Sequence, residues 1–428
     1  MGYDDALAAL QGAGRLPSVA AAVARAGVPV WSGCVSVDDG VTSGSSYRIG
    51  SITKTMTAVL VLQLRDEGLL ALDDPIGSVV PETGYADATI RALLSHTSGM
   101  QSEPVGPWWE RSTGGDADSL IAANDGSGRV AAAGEYFHYS NLGFGLLGEA
   151  IARLRGTDWW TAVQTRLLAP LGMAETSYHA PTDHAPGRSV DHFAHTLTPE
   201  PHTDTGAMAP AGQAWSTVAD LLRWADFLAV GHADVVPPST LAEMAGAVPP
   251  AAAYGLGLRV LRVGNRVLVG HTGSMPGFQA SLFVDRESRD AVVALTNATT
   301  GLRPEQVPAI LLDGAPCPNP GGRWEPTTQV PEPVAPMLGI WFWGNTAFGV
   351  EWAHDTLLVR DLRTADVSDR FAVIEGELIG IDGYHEGERL EVRRRTDGTV
   401  DHLECATFIY TRVPYDPNVT IPGGHPAS

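Results

Sequence analysis

Basic residues and cysteines are scarce in this 428-residue chain, and long apolar runs are missing. Lys and Arg number 28 against 49 Asp and Glu, a formal net charge of −21. A surface of that sign repels phosphate backbones, and no Lys/Arg-rich block offsets it. Nucleic acid and membrane surfaces are therefore not expected as partners. The acidic excess reads as a solvated shell that keeps the protein soluble. The three cysteines, Cys34, Cys317 and Cys405, stand far apart. Without a C-x-x-C pair they indicate neither a disulfide framework nor a zinc site, and they read as reduced, inert thiols of a cytoplasmic protein. The opening Met1-Gly2-Tyr3-Asp4-Asp5 has neither the basic nor the apolar region of a signal peptide. Position 6 is Ala, not the Ser or Thr that myristoylation asks for. The apolar stretch Ala58 to Leu62 is far too short to span a bilayer. The expectation is a soluble, cytoplasmic chain.

What is present suits a packed globular protein. The hydrophobic fraction is 44% and the charged fraction 18%, enough for a sizeable core. Met56, Val59, Leu60 and Leu64 follow helical spacing and predict a helix from Thr53 to Glu67, ended by Gly68. Further helices are expected over 141–155 and 216–230. Strands are expected over 254–263, 267–270, 279–285 and 291–297. Residues 1–315 thus mix helix and strand. Residues 316–336 are rich in proline, glycine and polar residues, and read as a semi-rigid linker. Residues 337–428 read as a small all-β domain with turns at Asp382-Gly383 and Asp397-Gly398.

Three short motifs carry chemistry. Ser51-Ile52-Thr53-Lys54 opens the first helix, where positions three apart share a face. Lys54 can therefore reach the Ser51 hydroxyl, a weak nucleophile that needs an adjacent base. A helix N-terminus also offers free N–H groups to a developing oxyanion. Tyr139-Ser140-Asn141 can aim a phenol and an amide into one cleft. In Gly270-His271-Thr272-Gly273-Ser274 the glycines let a substrate backbone approach a strand edge. Each motif alone is as well explained blandly, as a helix cap or a turn with a satisfied histidine. Their order is what distinguishes them.

In that order they match S-x-x-K, Y-x-N and H-T-G, and residues 10 to 315 resemble the serine β-lactamase and penicillin-binding-protein superfamily. Leu94-Ser95-His96-Thr97-Ser98-Gly99, Pro170-Leu171-Gly172-Met173 and Tyr254-Gly255-Leu256-Gly257 extend the resemblance. It implies an α+β catalytic domain of the β-lactamase/transpeptidase type, an antiparallel sheet flanked by helices plus a helical region. A small lipocalin-like all-β domain follows. It also implies roles. Ser51 is the nucleophile; Lys54 and Tyr139 share the proton work. Asn141 binds an amide-like group of the substrate, and His271, counted with the catalytic residues, lines the opposite wall with Thr272, Gly273 and Ser274. The amides of Ser51 and Ser274 form the oxyanion hole, while Arg48, Ser95 and His96 serve as scaffold. Poising a Lys or Tyr near pH 7 takes about three pKa units, or ~4 kcal/mol. Burial supplies that for Lys and a neighbouring ammonium for Tyr, so either can take the serine proton.

His271 stands where β-lactamases carry lysine, so a fixed cation for a substrate carboxylate is weaker here. No deacylating glutamate of the class A type is recognisable, and penicillin hydrolysis is not expected as the main activity. Five histidines lie between His179 and His202, without a ligand pattern, and no metal or cofactor is expected. Trp108 and Trp109 are candidates for an apolar substrate wall, Trp159 and Trp160 for the core. Arg412 is a candidate for bidentate capture of a substrate carboxylate.

The expected activity is acyl transfer through Ser51. The leading form is a penicillin-binding-protein-type thioesterase that releases or macrocyclises a nonribosomal peptide. Its substrate is a peptide or small molecule that a carrier protein can present. The alternative is a D-stereospecific peptidase or esterase with water as acceptor. A silent binding module is disfavoured because Ser51, Lys54 and Tyr139 are all present.

Overall fold

The computed structural model describes residues 2–317, 322–414 and 416. Parts of the expected linker and of the 337–428 segment lie outside the described residues. The chain forms two compact units, Met1–Ser189 with Pro199–Trp324, and Val190–Thr198 with Glu325–Ser428.

The first unit is built on a six-stranded antiparallel sheet. Helix α1 (Tyr3–Gly14) leads into β1 (Ser18–Arg25) and β2 (Val28–Ser36); α2 (Thr53–Asp66), α3 (Asn141–Arg155) and α4 (Val218–Val230) follow. Strands β3 (Arg259–Val263), β4 (Arg266–Met275), β5 (Phe278–Asp285) and β6 (Ala291–Thr296) complete the sheet in the order β2-β1-β6-β5-β4-β3. Both faces are covered. Ala20, Ala22, Val293 and Leu295 pack with Met56, Leu60, Phe144 and Trp224 of the helices. Val19, Val23, Val292 and Ala294 pack on the other face with Leu7, Leu10 and Ile310.

This double burial explains what sequence patterning missed. β1 reads SVAAAVAR, with no polar alternation and alanine at four positions, because neither face meets water. Two expected strands also shift. The segment 254–258 is not strand; β3 begins at Arg259, after two glycines of which Gly257 has φ +75°. In the other direction β4 runs on through Met275, so His271-Thr272-Gly273 sits within a strand. Helix α3 has the expected bounds, and Ser140 caps it by accepting from Gly143 N–H.

The second unit is a closed eight-stranded antiparallel barrel. Its strands are β7 (Gly339–Trp343), β8 (Thr346–Ala353), β9 (Thr356–Asp361), β10 (Val367–Ile374), β11 (Glu377–Gly383), β12 (Arg389–Arg394), β13 (Val400–Cys405) and β14 (Phe408–Thr411). Trp341, Trp352, Phe371, Leu390, Leu403 and Cys405 are among its filling. Closure removes the exposed edges that such short strands would otherwise present. The chain is thus an α+β catalytic-type domain with an all-β C-terminal barrel.

Candidate active site

A 3₁₀ turn, Gly50–Ile52, carries Ser51 into the start of α2. One turn on, Lys54 is fully buried and its Nζ donates to Ser51 Oγ at 2.9 Å and to the Ala211 carbonyl at 2.7 Å. The rings of Tyr139 and Phe144 lie 5.1 and 5.6 Å from the same nitrogen. Burial lowers the Lys54 ammonium to about 7, against the opposing pull of the Glu103 and Glu110 carboxylates. Burial raises the Tyr139 phenol, and its hydrogen bond to Ser51 only partly offsets this. Near neutral pH, Lys54 can therefore act as a free amine while Tyr139 keeps its proton.

Two glycines allow Ser51 to lie against β4. Gly50 has φ +53°, and a Cβ there would come within 2.6 Å of Ser274 N. A Cβ on Gly273 would sit 1.9 Å from the Ile49 carbonyl. No larger residue fits either position, and this close approach brings the Ser274 amide to the Gly50–Ser51 turn. Strand β3 pairs with β4 only as far as Arg259 opposite Gly270. Among the described residues, no strand pairs with His271–Met275 on that side. Thr272 is half-buried and Ser274 exposed along this open edge.

The histidines form one directed chain. The Ser140 N–H donates to His96 Nδ1 at 3.0 Å. His96 Nε2 therefore carries the proton and donates to Tyr254 Oη at 3.1 Å. The Tyr254 hydroxyl then donates to His271 Nε2 at 2.9 Å, and His271 Nδ1 to the Thr272 carbonyl at 2.5 Å. Burial drops both imidazoles well below their ordinary range, so both are neutral. His271 has no free nitrogen for proton transfer and no charge to offer a carboxylate. It forms wall, and its expected place beside the catalytic residues becomes a positioning one. His96, expected as plain scaffold, is part of the same chain.

Asn141 is buried and its Nδ2 donates to Glu103 Oε1 at 2.7 Å, while its Oδ1 has no partner among the described residues. Glu103 also accepts from the Trp109 indole at 2.6 Å. Trp109 is buried beside Gly212, its ring 3.6 Å from where a Cβ would stand. Trp108 is exposed, donates to Glu110 at 2.9 Å and stacks under Arg111. Burial raises the Glu110 carboxyl. Glu103 and Glu110 were not anticipated. Their only sequence signal was their place beside the two tryptophans.

Other expectations fare differently. Arg412 belongs to the second unit, where its guanidinium lies 3.7 Å from the Trp341 ring centroid. It donates to the carbonyls of Pro336, Leu338 and Ile340. Those bonds occupy the fork that bidentate capture of a carboxylate would need, which corrects the expectation. His184 and His202 pack on Trp215, and burial lowers His202 to about 4. Trp159 is in the core, as anticipated. Among the described residues, no helix is long and apolar enough to cross a membrane.

Penicillin-binding protein 4 of Amycolatopsis lactamdurans is 32% identical over 200 residues, 43% of this chain and 51% of that protein. The chain spans about half the length, or less, of the curated relatives it matches. Among solved structures, a D-stereospecific amidohydrolase from Streptomyces is 26% identical at a TM-score of 0.64, covering 74% of this chain and all of that one. SurE is 25% identical at a TM-score of 0.63, covering 96% of this chain and 98% of that one. Residues 330–412 match a domain of unknown function. The beta-lactamase family model matches residues 3–315, well over half of the sequence, and the chain belongs to the beta-lactamase family of serine hydrolases.

Proposed function

We propose that the chain is a penicillin-binding-protein-type thioesterase, which takes a peptidyl thioester onto Ser51 and releases it by attack of the peptide's own amine. The observation that carries the mechanism is the buried Lys54 amine, 2.9 Å from Ser51 Oγ and lowered to about 7. Lys54 Nζ takes the Ser51 proton as Oγ bonds to the carbonyl carbon. The C–S bond then breaks, and the thiolate leaves with a proton returned by Lys54 through Tyr139. The incoming amine repeats the sequence in reverse: it forms the amide, and Ser51 regains its hydrogen. In this reading the Ser51 and Ser274 amides hold the oxyanion, which strengthens in the transition state and not before. Asn141, Thr272 and Gly273 contact the acyl chain along the open edge of β4.

The choice of acceptor rests on charge. Glu103 and Glu110 both act on Lys54, opposed by the single Arg259 guanidinium, which also acts on His271. Two carboxylates against one guanidinium favour an amine-bearing acceptor over a free carboxylate. Preference for a D-residue at the acyl position is supported by the likeness to a D-stereospecific amidohydrolase and to SurE, also solved with D-Leu. Presentation of the thioester on a carrier protein is part of the proposal.

The test is mass spectrometry of the products from a linear peptidyl thioester ending in a D-residue, with Ser51→Ala as control. A product lighter than the free acid by one water, absent with the variant, supports the cyclase. Free acid alone means that water is the acceptor and that the chain is a D-stereospecific peptidase or esterase. A fluorophosphonate label that Ser51→Ala fails to abolish would remove Ser51 from the chemistry altogether.

A further inference from the structure

The barrel carries a second group of reactive side chains, far in chemistry from the serine site. The turn between β11 and β12 places His385, and Glu388 three residues later; β13 ends on Cys405. One ligand atom from each of the three lies within 4.8 Å of the others. His385 Nδ1 is 2.6 Å from Glu388 Oε2, and Cys405 Sγ is 4.0 Å from the same oxygen. His385 and Cys405 are buried, the thiol completely. Glu388 is half exposed, so the group opens to solvent on one side.

The turn is held rigidly. Glu388 N–H donates to the His385 carbonyl, Gly387 N–H to the Gly380 carbonyl and Gly380 N–H to the Glu388 carbonyl. A buried carboxylate, Asp369 of β10, accepts from the His385 N–H at 2.9 Å. On β13, Cys405 is fixed by pairing with Leu390 on one side and Phe408 on the other. The His385 ring packs edge-on against Phe408 at 4.6 Å. The ligand atoms are therefore presented by a preorganised frame, as a metal site requires.

The Glu388 carboxylate and the Cys405 sulfur lie within 4.8 Å of the His385 ring nitrogen, and the Asp369 carboxylate lies against the His385 backbone amide. Burial, then Glu388 and Asp369, push the Cys405 thiol up to about 12. A soft sulfur beside an imidazole and a carboxylate is a donor set that divalent ions of the zinc class prefer.

We propose that His385 Nδ1, a Glu388 carboxylate oxygen and Cys405 Sγ bind one divalent transition-metal ion of the zinc class. Tetrahedral coordination at ordinary bond lengths places ligand atoms roughly 3.3–3.7 Å apart. The His385–Glu388 contact must open and the Cys405–Glu388 contact must close slightly, which side-chain motion of the half-exposed Glu388 provides. The ion replaces the thiol proton, which leaves to solvent; the Nδ1 proton that faces Glu388 moves to Nε2, so that a neutral imidazole binds through its Nδ1 lone pair. Thiolate, carboxylate and ion then sum to zero charge. Three protein ligands leave a fourth position for water, and Asp369 anchors the His385 backbone amide from the neighbouring strand. The inference departs from the reading of Cys405 as an inert thiol and is independent of the proposed acyl chemistry.

Cobalt(II) added to the chelator-stripped, untagged full chain tests it. The expected result is a thiolate-to-cobalt charge-transfer band with tetrahedral visible bands, saturating at one equivalent and displaced by zinc. Cys405→Ser loses the charge-transfer band, and His385→Asn weakens binding roughly 10–100-fold. Thermal melts of the stripped proteins show whether each variant folds, and only wild type gains melting temperature on adding zinc. If wild type gives no band and no gain in melting temperature, the proposal is overturned. A band that persists in Cys405→Ser overturns it equally, since the sulfur is then Cys34 or Cys317.

Discussion

Two polar clusters, one in each unit, are satisfied in opposite ways. In the catalytic unit, His96, Tyr254 and His271 form a series in which each donor meets an acceptor, ending on the Thr272 carbonyl. Every member is neutral, and the series needs nothing further. In the barrel, His385, Glu388, Cys405 and Asp369 are also hydrogen-bonded, but acid outnumbers base. The comparison separates two requirements that are often merged. Hydrogen-bond satisfaction fixes tautomers and positions side chains. Charge balance is a second condition, and a cluster that meets only the first has a use for a cation.

The largest effect expected within the catalytic unit comes from Lys54. Lys54→Met removes the base and should lower kcat/KM by about 10²–10⁴-fold. In the proposed mechanism the active form is the neutral amine. Because burial lowers Lys54 to about 7, kcat/KM should fall on the acid side below that pH, about tenfold per unit. The variant should lose this limb with its activity and still fold, since methionine buries the same chain without a charge. A limb that survives in Lys54→Met would move the titrating group elsewhere.

A smaller effect, and the sharper test of the comparison, comes from Tyr254→Phe. The phenyl ring keeps the packing and removes one hydroxyl, which strands both His96 Nε2–H and the His271 Nε2 lone pair. The expected cost is ~1–3 kcal/mol in denaturant unfolding. Wild-type stability carries its own signature. Folded His96 and His271 stay neutral because burial lowers them, whereas unfolded histidine takes up protons below about 6.5. The unfolded state then binds more protons, so stability falls as pH drops below 6.5, by up to about 1.4 kcal/mol per unit for each histidine. A flat stability profile from pH 6.5 to 5 would show that the pair is not held neutral.

Much of the catalytic unit was legible because its signals are local. Ser51 and Lys54 are three apart at a helix start, and α2 and α3 follow the 3.6-residue period. What escaped was built by tertiary contact. Tyr254 lies 158 residues from His96 in the chain, and no spacing rule joins them. Glu103 acquires its place only by holding Asn141 and Trp109 together. Strand β1 escaped for a different reason: an alanine-rich strand buried on both faces has neither polar alternation nor strong β-propensity. In the barrel, His385 and Glu388 are near neighbours in sequence, but Cys405 joins them only through strand pairing. The absence of C-x-x-C therefore said nothing about this group.

Arg412 gives the smallest expected effect and asks whether the two units divide labour as their polar groups suggest. Its guanidinium donates to the Pro336, Leu338 and Ile340 carbonyls and covers the Trp341 ring. Arg412→Ala removes those bonds from a part-exposed position, where solvent screens much of their worth, and should cost the barrel about 1 kcal/mol. Kinetics on a free-acid substrate and on its blocked-carboxylate counterpart should stay equal to wild type, because the donors are already spent inside the barrel. A selective rise in KM for the free acid would instead mean that the guanidinium leaves these carbonyls to meet substrate. Arg412 would then regain the carboxylate-binding role expected of it.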